Sequence, residues 1–191
     1  MAVLEAISTV YCEDDVALIE WTGITQSYDH LQIRGTCQNP ATDGATNGWQ
    51  QIKLGGSSYF AASKYQQHMI DIYATSERTH AASGSDAFFQ IPCINSKSMY
   101  IDGTARPAAS LYSVTLIDIM HYSNASRRTT IKFWGGNSRG VAGTPNRQGL
   151  CFGTGLLQDT PAIEKITFDC YGGSNTLSRG TNMTLYGWNI E

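Results

Sequence analysis

Apolar and polar positions alternate with a period of two along most of this chain. Between Tyr28 and Cys37, Leu31 and Ile33 stand two apart, with Gln32 and Arg34 between them. Successive side chains of a strand point to opposite faces, so this spacing predicts a strand with one apolar and one polar face. Trp49 to Leu54 repeats the pattern through Ile52 and Leu54, and Met69 to Tyr73 sets Ile70 and Ile72 against Asp71. The clearest long strand is Leu111 to Met120, where Tyr112, Val114 and Leu116 alternate with Ser113, Thr115 and Ile117. Further strands are predicted over Val16–Trp21, Ala87–Ile94, Lys97–Ile101, Thr129–Trp134, Gly149–Leu157, Ile163–Tyr171 and Thr184–Ile190.

Turn formers separate these runs: Asn39-Pro40, Asp43-Gly44, Asn47-Gly48, Gly55-Gly56, Gly135-Gly136-Asn137 and Gly172-Gly173. Gly and Asn tolerate the positive φ that tight turns require. Many short strands at this spacing predict an all-β fold, a jelly-roll-like antiparallel β-sandwich forming a single domain over residues 16–191. Ala61 to His68 is the one helix-like stretch, expected as an exposed turn or two. The first residues, Met1 to Tyr11, alternate weakly and show no obvious partner, so residues 1–15 are expected as an N-terminal arm or docking segment. Gln38 to Gly48 and Gly135 to Gln148 are expected as longer polar loops, where contacts with partners would sit.

Composition narrows the setting. The 191 residues suffice for one full core without a staple. Charged residues make up only 15 %, below the roughly 25 % of an average globular domain. With 19 Gly and 10 Tyr, the surface is one of hydroxyls, amides and rings, as in extracellular and virion β proteins. The net charge of −3 comes without a run of like charges. Arg127-Arg128, backed by Lys132 and Arg139, reads as a solvated turn, so nucleic acid is not expected as the ligand. No window approaches the ~20 apolar residues of a membrane helix. The start, Met1 to Ala6, has no basic flank or long apolar stretch, so a signal peptide is not expected. Cys12, Cys37, Cys93, Cys151 and Cys170 are widely and irregularly spaced. Several sit in strand-like runs, where a free cysteine behaves as a small buried hydrophobe, and the odd count favours assembly in a reducing cytoplasm.

Candidate chemistry is sparse. His30, His68, His80 and His121 form no metal-binding spacing. Asp118 and His121 lack a nucleophile elbow to complete a dyad. Glu13-Asp14-Asp15 lacks the spaced acids of a calcium loop and reads as an exposed turn. Gly153-x-Gly155 lacks the third glycine of a dinucleotide fold, and the glycosylation patterns at Asn124 and Asn182 read as chance matches. No catalytic residue, metal or cofactor is therefore expected. Trp49, Tyr59, Phe60, Trp134 and Trp188 are candidate sugar-stacking platforms, although most alternate with aliphatics as core residues do. Tyr59, Phe60 and Trp134 are retained as candidate ligand-binding aromatics.

The C-terminal third carries the most specific pattern. Leu156 to Phe168, ending Ala162-Ile163-Glu164-Lys165-Ile166-Thr167-Phe168, runs into Gly172-Gly173-Ser174-Asn175 and closes with Arg179 to Trp188 through Leu185-Tyr186-Gly187. This resembles the ending of many virion structural proteins of marine bacteriophages, in which an Ala-Ile-Thr strand, a Gly/Asn turn and a terminal Leu-Tyr-Gly strand recur. Tyr28 to Arg34 is similar to a strand near the start of the same proteins. The resemblance implies a non-enzymatic virion surface protein, assembled in the host cytoplasm, foremost a capsid decoration or cement module. The alternative is a tail-fibre or tail-adaptor module that binds a receptor or glycan. It further implies a homotrimer in contact with major capsid or tail proteins. Exposed aromatic rings at the loop tips would favour the recognition role, because a cement protein has no need of them, and the accessibility of Tyr59, Phe60 and Trp134 separates the two.

Overall fold

The structure, a computed structural model, describes residues 3–39, 49–73, 76–83, 87–92, 95–96, 98–101, 104–107, 112–137, 149–160, 162–170 and 176–190. Within them lie fifteen strands: β1 (Glu5–Tyr11), β2 (Leu18–Thr22), β3 (His30–Asn39), β4 (Trp49–Gly55), β5 (Tyr65–Tyr73), β6 (Ser76–Ser83), β7 (Phe89–Pro92), β8 (Asn95–Ser96), β9 (Ser98–Ile101), β10 (Thr104–Pro107), β11 (Ser113–Met120), β12 (Thr130–Asn137), β13 (Gly149–Leu157), β14 (Lys165–Cys170) and β15 (Asn182–Trp188). The larger sheet runs β1-β15-β3-β11-β12-β13-β5-β6, and the smaller runs β2-β14-β4-β7.

Setting aside the hairpins β5–β6 and β12–β13 and the short β8, β9 and β10, eight strands remain. They are ordered β1-β15-β3-β11 in one sheet and β2-β14-β4-β7 in the other. The chain crosses between sheets at nearly every step, which is the wrapping of a jelly roll. The fold is an all-β antiparallel sandwich in a single domain, and the two hairpins widen one of its sheets.

Alternation explains the core. β12 turns Ile131 and Phe133 inward, β3 turns Leu31 and Ile33, and β11 turns Ile117 and Ile119. Against them the smaller sheet sets Ile166 and Phe168 of β14, Ile52 and Leu54 of β4, and Phe89 and Ile91 of β7. Each such side chain contributes about 1.5–3 kcal/mol by leaving water. Tyr65 ties the two sheets together: its hydroxyl donates to the Leu54 carbonyl at 2.9 Å and accepts the Leu54 N–H at 3.0 Å. Burial pushes that phenol up to about 12.

In β11 the alternation holds, but the apolar-rich parity is not the inward one. Ser113 and Thr115 face the core while Val114 is exposed. A strand has a single register, and here Ile117 and Ile119 set it. The inward hydroxyls are satisfied: Ser113 donates to the Cys37 carbonyl at 2.9 Å, and Thr115 donates to Gln50 Oε1 at 3.0 Å.

Three expectations change. Residues 5–11, expected as an arm ahead of the domain, are strand β1 of the larger sheet, paired antiparallel with β15. Ala61 to His68 is not helical beyond one 3-10 turn at Ala62–Lys64, and β5 begins at Tyr65. Gln38 and Asn39 continue β3, and Gly135 to Asn137 continue β12, so both expected loops start later. The remainder of those loops (40–48 and 138–148), the turn at Gly172–Asn175, Cys93 and Arg139 lie outside the described residues.

Candidate functional site

The residues that β11, β12, β13 and β5 turn outward form one surface. In β12 the parity that buries Ile131 and Phe133 turns Lys132 and Trp134 to solvent. In β13, Phe152 and Thr154 alternate with buried Cys151 and Gly155, and in β5, His68 and Ile70 alternate with buried Gln67 and Met69. Strand register lines these residues up. Leu116 pairs with Trp134, Trp134 with Phe152, and Phe152 with Ile70. With strands about 4.8 Å apart, this apolar strip spans roughly 14 Å across four strands. Trp134 is 54 % exposed and Phe152 49 %.

The next row toward the opposite end of β12 is polar: Asp118 pairs with Lys132, Lys132 with Thr154, and Thr154 with His68. Together the rows line a concave groove of about 820 Å³, walled on the far side by Thr79 and Ala81 of β6. A second hollow of about 480 Å³ shares His68, Thr154 and Ala81 with the first and continues to Gln66 and Thr130. Toward β15 the polar row is braced. Gln32 donates to Asp118, Arg34 donates to Gln32, and the Arg34 guanidinium lies 5.5 Å over the Tyr186 ring.

The sequence-predicted aromatics do not come together. Trp134 stands in the middle of this groove. Tyr59 lies over the outer face of the smaller sheet, where its hydroxyl donates to Glu20 Oε1 at 2.5 Å and meets Thr167. The Lys165 ammonium sits 4.8 Å from the Tyr59 ring centroid and 3.4 Å from Glu20 Oε1. The Tyr59 hydrogen bond, foremost, and the nearby Lys165 hold the Glu20 carboxyl below its ordinary range. Phe60 is half-buried and packs on the core. Trp188 is half-buried, its ring 4.3 Å from that of His30. Trp49 occupies β4.

Phe152 is no sequence candidate, His68 is one only as a metal ligand, and Ile70 reads as part of the apolar face of its strand, whereas the structure turns it to solvent. The signal for them was parity: each shares its strand face with a polar neighbour two residues away. Elsewhere, Asp118 is engaged by Gln32, while the His121 N–H donates to His30 Nδ1 at 2.9 Å. Asp15 accepts the Arg179 N–H at 2.8 Å. Gly153 and Gly155 leave room for core rings, since a Cβ at either would meet Phe133 or Phe89 at 2.5 Å. Among the described residues, no three His, Cys, Asp or Glu side chains are placed to hold a metal, and no helix is long and apolar enough to cross a membrane. The chain matches no known protein family, and no curated protein matches it in sequence.

Proposed function

We propose that this chain is a non-catalytic recognition module of a bacteriophage particle, working through the outer face of β11, β12, β13 and β5. The observation that carries the reading is the exposure of Trp134 and Phe152 side by side at the centre of a sheet. Folding withdraws large rings from water, and rings left outside in register over a concave surface mark a binding site. Among the described lining residues of the groove Asp118 is the one carboxylate, whereas glycoside hydrolysis uses a pair of acids. The virion setting rests on the likeness of residues 156–188 and 28–34 to phage structural proteins. The polar row beside the rings favours the tail-recognition role over capsid cement, because a shell pressed on that face would take Lys132 and Asp118 out of water.

The test is a cryo-EM reconstruction of the parent virion with this protein located by labelled antibody. Density at the tail with the groove facing outward is the expected result. Density on the icosahedral lattice, with the groove against the shell, would make the protein cement. Absence from the particle would overturn the virion reading.

A further inference from the structure

We infer that the groove binds a neutral oligosaccharide; this rests on the recognition reading and names its ligand. A pyranose ring is amphipathic, with C–H bonds on its faces and hydroxyls around its rim, and each hydroxyl both donates and accepts. The groove offers the complement. Trp134 and Phe152 supply apolar faces on neighbouring strands. Along their flank lie Lys132, Asp118, Thr154 and His68, followed by Gln66 and Thr130 in the connected hollow. This lining mixes donors with acceptors, as a polyhydroxy ligand requires. The residues from Trp134 through Lys132 to Thr130 stand four apart on β12, so the three rows they begin span roughly 14 Å along the strand. That is room for a short chain of sugars, and the volume of about 820 Å³ is that of a ligand cleft.

The same features weigh against other occupants. Lys132 and Asp118 are direct register partners of opposite sign, so their fields largely cancel and neither a polyanion nor a polycation is favoured. An apolar protein surface or a second copy laid over the groove would desolvate that pair without replacing its water contacts. A neutral hydrogen-bonding ligand replaces them.

The experiment is a screen of the full chain on an array of neutral and sialylated glycans, followed by calorimetric titration of the bound neutral oligosaccharide. We expect binding to a neutral glycan and a change in Trp134 fluorescence on titration. Affinity should vary little between about 0.05 and 0.5 M NaCl, because no net charge is neutralised. Trp134→Ala and Phe152→Ala should each weaken binding about tenfold or more with an unchanged melting temperature. Tyr59→Ala, on the opposite sheet, should bind as the unaltered chain does. Binding to no neutral glycan, salt-sensitive binding to sialylated glycans alone, or binding indifferent to both ring truncations would each overturn the inference. So would a concentration-dependent oligomer that Trp134→Ala converts to a monomer, since the face would then be an interface between copies. A protein found at the virion tail that binds no glycan would sink this inference alone. Absence from the virion would sink the reading beneath it.

Discussion

His30 shows how one buried side chain ties local chemistry to the stability of the fold. Its Nδ1 accepts the His121 N–H at 2.9 Å, and its ring packs 4.3 Å from Trp188 and 4.9 Å from His121. The side chain is buried, and its Nε2 has no partner among the described residues. Burial, then the neighbouring His121, hold the imidazole below its ordinary value, while Asp29 and Asp118 pull the other way. In the unfolded chain the same imidazole takes a proton near pH ~6.5. Just below that pH the unfolded state therefore binds more protons than the folded state, and stability falls as pH drops through the window. Thermal unfolding followed from pH 7.5 down to pH 5 should show a declining midpoint. In His30→Asn, which keeps an acceptor for the His121 N–H, the decline should flatten. An equal slope in both proteins would remove His30 as its source.

Two strands that the sequence pattern obscured show why periodicity fails at the level of the element. β1 carries a register shift between Ala6 and Ser8. The core-packed Ile7 and Val10 consequently stand three residues apart, and the period of two is broken by that irregularity. Deleting residues 1–11 should leave β15 with an unpaired edge, lower the melting temperature and promote aggregation; an unchanged midpoint would make β1 peripheral. In β5 the inward Gln67 interrupts the apolar parity, yet its Oε1 accepts the Gln90 N–H at 2.7 Å. A buried polar residue with a tertiary partner looks exposed to any local reading. β13 has a different constraint, because the Phe89 ring packs directly on Gly155. Gly155→Ala should cost about 1–3 kcal/mol by overpacking, read as a lower denaturation midpoint; an unchanged midpoint would mean that the Phe89 ring moves aside freely.

Across the whole molecule, the interior is held by packing, with no cross-link among the described cysteines. Cys12, Cys37, Cys151 and Cys170 are buried. Burial drives the Cys170 thiol far above its ordinary value, and its Sγ donates to the Thr176 carbonyl at 3.2 Å. A thiol kept protonated and out of water is a poor nucleophile. These four should resist a thiol reagent in the native protein and react on addition of denaturant, as counted by mass spectrometry. Rapid native labelling of any of them would contradict this packing. The two sheets also differ in character at this scale. The smaller turns Glu20, Lys165, Lys53 and Asp169 outward, with Lys165–Glu20 at 3.4 Å and Lys53–Asp169 at 3.7 Å. The larger turns out Trp134 and Phe152, about half exposed, whereas the smaller sets Leu18 and Tyr59 among its ion pairs.

The sequence by itself determined the fold class and most of the strands, because a period of two and glycine-rich breaks are local properties of the chain. It also contained the parity that puts Trp134 on the face of Lys132. The tertiary structure alone decided that this face was the outer one of the larger sheet. It also decided that Phe152 and Ile70, from strands distant in the chain, stand beside Trp134, and that Tyr59 belongs to the opposite side. Which strands become neighbours depends on how the two sheets wrap and close on a shared core. That choice is set by long-range packing energy, which no window of adjacent residues contains.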